Sequence, residues 1–249
     1  MSAEHGSHSP LEQFAIVPIH PINIAGYDVS FTNSSLWMVI AVAAIIGFLL
    51  PASRKLALVP GRLQSSAEML VEFINSTILD AAGKEGLKYF PIIFSLFAFI
   101  LTCNLLGMIP GAFTVTSHII VTFALAAFVF IGVTLIAIFK HGIGKFLHFF
   151  LPEGTPIVMA PLLFVIEFFS YLSRPVSLSI RLAANMMAGH VTMKVIAGLI
   201  ITFGMIIGIS SMFPLLLFLT GFEIAIAVIQ AYIFTILTCV YLNDALHLH

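Results

Sequence analysis

Between Tyr89 and Phe139 the chain carries no lysine, arginine, aspartate or glutamate. A helix needs about 20 mostly apolar residues to cross the ~30 Å hydrocarbon core of a bilayer. This stretch is long enough to cross twice. Further apolar runs cover Ser34–Pro51 and most of Pro156–Tyr241. Only 8% of the 249 residues are charged, against about 25% in a soluble domain. The expectation is a single all-α, polytopic membrane domain. A net charge of -1 excludes nucleic acid as a partner. Cys103 and Cys239 both sit in apolar runs, so neither a disulfide framework nor a zinc site follows. The histidines near the two ends lack cysteine neighbours and regular spacing, so no metal and no other cofactor is expected. No GxxxxGK[ST] loop is present, so nucleotide phosphate chemistry is not expected in this chain.

Charge places the segments relative to the membrane. Residues 1–33 read as an external tail, with Pro10, Pro18 and Pro21 breaking any long helix and a short helix around Leu11–Ile16. The tail has no basic leader, since the first Lys or Arg is Arg54. Residues 34–53 form the first span, with Trp37 near its outer end. Arg54, Lys55 and Arg62 follow it, which puts that end inside by the positive-inside rule. Residues 62–88 alternate Glu68, Glu72, Asp80, Lys84, Glu85 and Lys88 with Leu63, Met69, Leu70, Phe73, Ile74 and Ile78. That pattern predicts an amphipathic helix on the inner surface. A linker helix without lipid contact is the alternative.

Residues 89–139 predict a helical hairpin, Tyr89–Ile109 and Ile119–Phe139. Its loop, Gly111–His118, has no Lys or Arg and is expected outside. Lys140, His141, Lys145 and His148 mark the inner end. Residues 156–243 predict two long helices. The first, Pro156–Gly208, would be roughly 75 Å long if straight, so it must tilt, bend or break. Pro175 is the expected bend, and Gly204, Gly208, Ser210, Ser211 and Pro214 the expected turn. The second then runs Pro214–Tyr241, leaving the N-terminus outside and the C-terminus inside.

These two helices hold nearly all the ionisable groups of the apolar half. Glu167, Arg174 and Arg181 are seven apart, and Ser177, Arg181 and Asn185 four apart, each set along one helix face. On the second helix Glu223, Gln230 and Asp244 repeat at multiples of seven. A charge at bilayer depth costs roughly 2.5–3.5 kcal/mol on insertion scales, so packing alone does not account for two such stripes. An antiparallel pairing predicts three levels: His190 with Glu223 outside, Arg181 level with Gln230 in the middle, and Glu167 with Asp244 inside. His and a buried carboxylate can pass protons near neutral pH. Arginine does not release its proton. It would therefore block a continuous proton path while attracting a partner's carboxylate. Arg174 and Lys194 are expected to snorkel to the inner and outer interfaces. His118, His141 and His148 lie in loops and suggest no role.

The run Ser173–His190, SRPVSLSIRLAANMMAGH, resembles the arginine-helix motif of subunit a of the F-type ATP synthase membrane sector, in its alphaproteobacterial and mitochondrial form. NLLGMIPG at 104–111 and the helix bearing Glu223, Gln230, Tyr232 and Tyr241 are similar to the same family. The resemblance is strongest from Asn104 to Asn243 and rests on layout in the first hundred residues. It implies that Arg181 is the essential charge facing a ring of c subunits. It implies that Asn185, His190, Glu223 and Gln230 line a half-channel open to the outside, and that Glu167, Ser177 and Asp244 lie along an inner one. It implies two long helices tilted steeply against the rotor. Implied partners are the c-ring, peripheral-stalk b subunits, other ATP synthase subunits and membrane lipid. Ala183–Ala184 stands where some members carry a bulkier pair. The ion is expected to be H⁺, given His190. The membrane is expected to be a bacterial inner membrane, with the mitochondrial inner membrane as the alternative. A stand-alone secondary transporter or ion channel is the rival function, but the chain has no internal repeat of the kind transporters show. A purely structural membrane subunit is a further one.

Overall fold

A computed structural model describes residues 15–21, 23–24, 27–28, 30–54, 57, 59–109, 111–148, 150, 159–202 and 205–247. In lipid every backbone N–H and C=O must find its partner within the protein, so long apolar runs fold as helices. They do so here. The order is α1 (Asn33–Arg54), α2 (Arg62–Gly86), a 3₁₀ turn (Leu87–Tyr89), α3 (Phe90–Gly107), a 3₁₀ turn (Val115–Ser117), α4 (Ile119–His148), α5 (Ala160–Thr202) and α6 (Met205–Leu246). Five helical stretches among the described residues are long and apolar enough to cross a membrane: Asn33–Arg54, Arg62–Gly107, Ile119–Phe146, Ala160–Ile200 and Met212–Leu246.

The segment before α1 contains strands that its prolines did not suggest. β1 (Pro18–His20) pairs antiparallel with β4 (Phe31–Thr32), and β2 (Asn23–Ile24) with β3 (Tyr27–Asp28). The expected helix at Leu11–Ile16 is not seen at Ala15 and Ile16, and the rest of it lies outside the described residues. The strands lead into the start of α1. There Asn33 Oδ1 accepts from the Ser34 and Val17 N–H groups, and Thr32 Oγ1 from the Ser35 N–H. Side-chain oxygens thus take up donors that a helix start leaves unpaired.

α6 runs through the centre of the core, packed by α2, α3, α4 and α5. Ile74 and Ile78 of α2, Phe97 and Ile100 of α3, Leu182 and Met186 of α5, and Phe234 and Cys239 of α6 form one buried cluster. α2 buries Ile74 and Ile78 here and sets Phe73 against both Phe97 and Tyr232, while Leu63 and Met69 stay exposed. The outward faces stay apolar: Phe128 is 62% exposed and Phe139 84%. A surface this oily suits lipid. Kinks fall at Gly83 in α2 (φ +66°) and Gly142 in α4 (φ +82°). Both backbones are left-handed, which glycine enters without strain.

One expectation about the long helices needs correction. Pro175, the expected bend, lies inside α5, which is a single helix of 43 residues. α5 ends at Thr202 and α6 begins at Met205, so Gly208, Ser210, Ser211 and Pro214 are helical members of α6, not a turn before it. Gly204 lies outside the described residues. Proline withholds one N–H, but an apolar setting offers the backbone nothing better than the helix, so α5 and α6 run through. At ~1.5 Å per residue α5 is about 65 Å long, more than twice a bilayer core, so it can be accommodated only at a steep tilt.

Candidate functional site

At the end of the bundle expected to face outside, three elements converge. α5 supplies His190, α6 supplies Glu223, and the loop between α3 and α4 supplies Thr114. His190 and Glu223 are each 6% exposed. His190 Nε2 stands 3.9 Å from Glu223 Oε1, ion-pair range but longer than a hydrogen bond. The same Nε2 is 3.1 Å from Thr114 Oγ1. Neither Glu223 oxygen has a hydrogen-bond partner among the described residues. Gly189 makes the close packing possible: a Cβ built there would run into the Glu223 carboxyl group. A buried carboxylate that lacks hydrogen bonds is costly as an anion. The loop also buries the Thr116 hydroxyl and His118 Nε2, which lack partners among the described residues. The His118 ring stacks on Phe113 at 4.9 Å.

One level further in, Asn185 Nδ2 donates to Gln230 Oε1 at 3.3 Å. Gln230 is 2% exposed. Asn104, on α3, joins this level by donating its Nδ2 to the Ala227 carbonyl at 3.1 Å. Asn104 Oδ1 and Gln230 Nε2 remain unpartnered among the described residues. The polar stripe is thus built by α3, α5 and α6 together. Arg181 is different. It is exposed on α5, flanked by exposed Ser177, Ile180 and Ala184. It makes no hydrogen bond or ion pair among the described residues, so pairing with Glu223 or Glu167 does not account for it.

The opposite end, expected to face inside, departs from expectation in its pairing. Asp244 pairs with Arg174, not with Glu167: Arg174 Nη1 donates to Asp244 Oδ2 at 2.9 Å. The guanidinium also sits over the rings of Tyr171 and Tyr241, at 5.2 and 5.0 Å. Tyr171 is anchored in turn by a 2.7 Å bond between its hydroxyl and Thr134 Oγ1. The antiparallel register explains the exchange. His190 faces Glu223, Asn185 faces Gln230, and Arg174 faces Asp244; stepping on to Glu167 would pass beyond Leu246, the last residue of α6. Glu167 is half-buried and forms no ion pair among the described residues. Below this level Lys140 Nζ and His141 Nε2 both reach the Leu246 carbonyl at 3.2 Å. Cations at a helix C-terminus complement its orphan carbonyls and dipole. Lys140 also pairs with Glu85 at the end of α2.

The family profile described as ATP synthase A chain matches residues 35–243. The chain belongs to the ATP synthase A chain family. The protein named "ATP synthase subunit a" of Rhodospirillum rubrum, an alphaproteobacterium, is 54% identical over 242 residues. The match covers 97% of this chain and all of the relative. The same figures hold for the protein of that name from R. rubrum strain ATCC 11170.

The ATP synthase A chain match takes in every polar side chain of this site except Asp244, which lies just past it. Four contributors to the site were not foreseen as such. Asn104 stood out only as part of a family-like run. Thr114 carried no signal, because a threonine in an uncharged loop has many uses. Lys140 was read only as a topology signal and His141 as a loop residue without a role, yet they hold the end of α6.

Proposed function

We propose that His190 and Glu223 exchange protons at the outer end of the chain, and that Arg181 separates this path from an inner exit. Family membership supports the wider reading: the chain is the proton-translocating stator component of an F-type ATP synthase. Asn185 and Gln230 line the outer half-channel. Glu167 and Ser177 line the inner one, while Asp244 serves that end by holding Arg174. The moving partner is a ring of c subunits whose carboxylate meets Arg181. Peripheral-stalk b subunits, other subunits of the complex and lipid contact the remaining faces. The membrane is a bacterial inner membrane, with the N-terminus outside and the C-terminus inside.

The observation that carries this reading is the exposure of Arg181 without a counter-charge, on an apolar face, one turn from the buried amides. A fixed cation there is expensive unless something acidic meets it. In energised membrane vesicles carrying the full complex, Arg181→Ala should abolish proton-coupled ATP synthesis while leaving ATP hydrolysis by the catalytic sector. Coupled synthesis at the normal rate would overturn the assignment.

A further inference from the structure

We propose that Thr114 is a positioning residue of the outer relay, holding Nε2 of His190 beside Glu223 in both protonation states of the ring. The inference rests on the reading of His190 and Glu223 as a relay. Thr114 is 4% exposed, and its Oγ1 has two neighbours, His190 Nε2 at 3.1 Å and the Gly107 carbonyl at 3.5 Å. A hydroxyl has one proton to give and lone pairs to accept with, and its hydrogen can rotate. The two neighbours therefore match two states. When the ring is imidazolium, Nε2–H donates to Oγ1 and the hydroxyl donates to Gly107. When Nε2 is bare, the hydroxyl swings round and donates to it.

The transfer balances without any other reactant. Once the Glu223 carboxyl group swings from 3.9 Å into hydrogen-bond reach of Nε2, the Nε2–H bond of the imidazolium breaks and an O–H bond forms on Glu223 Oε1. The ring is left neutral with its proton on Nδ1, and the carboxylate becomes a carboxylic acid. Thr114 reverses from acceptor to donor without its heavy atoms moving, so Nε2 stays on the side facing Glu223. Valine has nearly the same shape and can do neither. The loop is built to bring the hydroxyl this close: a Cβ at Gly107 would lie 2.9 Å from Thr114 Cγ2 and 3.2 Å from Oγ1. The titratable groups set against His190 are Glu223 on α6 and Lys194 one turn along α5.

The test uses the full ATP synthase in inverted vesicles, with ATP-driven proton pumping measured across pH and assembly checked by subunit content. Thr114→Val should pump roughly three- to tenfold more slowly, the scale of one neutral hydrogen bond, and its pH profile should move. Thr114→Ser should restore both rate and profile. Gly107→Ala, which keeps the hydroxyl but displaces it, should move the profile in the same way. It decides the matter if the valine variant does not assemble. An unchanged rate and profile in Thr114→Val, or equal failure of Thr114→Ser in an assembled complex, overturns the proposal. His190→Gln and Glu223→Gln separate the two levels: if both pump normally the relay itself is wrong, and if both fail while Thr114→Val is normal only the role of Thr114 is.

Discussion

At the residue scale the site depends on what is missing from Gly189 as much as on what the polar groups offer. An added methyl there would meet the Glu223 carboxyl group, the free end of a flexible side chain. Gly189→Ala should therefore fold and assemble, since the carboxylate gives way rather than the backbone. It should slow proton pumping by moving Glu223 away from Nε2 of His190. Gly132→Ala, where an added Cβ meets nothing within 4 Å, is the control. Equal pumping by the two would remove Gly189 from the relay. The ionisable members of the site were legible in the sequence because each carries a penalty in an apolar run that demands a reason. Thr114 was not legible, because a hydroxyl in a loop carries no such penalty. Its meaning appears only when the loop folds back on α5.

At the scale of elements, the register of α5 against α6 is pinned by Arg174. The guanidinium offers a planar fork to Asp244 and a flat cation to two tyrosine rings, uses that lysine does not match. The carboxylate and guanidinium are 36% and 22% exposed, so their pairing is partly screened. Arg174→Ala and Asp244→Ala should each lower the melting temperature of the solubilised complex. The double variant should lose less than the two losses added, because the first change already strands the partner. Strict additivity would show that the contact does not couple the helices. The helices themselves were predictable from length and apolarity. Their pairing was less so, since it follows from where the hairpin turns. Glycine, serine and proline near 204–214 look like a turn by the rules of aqueous loops, yet most of that stretch is helical. From the His190–Glu223 contact, 16 residues of α5 lie alongside 21 of α6 before Arg174 meets Asp244, so stripes matched step for step put Glu167 opposite Asp244 instead.

At the scale of the whole molecule, α2, α4 and α6 meet at the inner end through Glu85, Lys140 and the Leu246 carbonyl. The Lys140 ammonium beside Glu85 holds its carboxyl below the ordinary carboxylate range. A carboxylate whose folded-state value is depressed adds stability above its unfolded value, and loses it as pH falls through the folded one. Glu85→Gln should therefore be less heat-stable than the unaltered chain at neutral pH. The gap should begin to close as pH falls below the unfolded value of about 4.3 and vanish once it has passed the depressed folded one, where the carboxyl is protonated in both states. A gap independent of pH would assign the effect to packing. The membrane class and the number of long apolar helices were readable from the chain. The inner tie was not, because it joins residues far apart in sequence that touch only after α6 has packed between α2 and α4.

The same contacts have a mechanical consequence. A sideways push on the exposed face that carries Arg181 cannot be absorbed by α5 alone. Through Arg174 and Asp244 it loads α6; through Leu246, Lys140 and His141 it passes to α4; through Glu85 it reaches α2. The handovers are short polar contacts, an ion pair at either end of the path and hydrogen bonds to the Leu246 carbonyl between them. A passive conduit would need no such bracing. A part that must stand still while its neighbour turns under torque would.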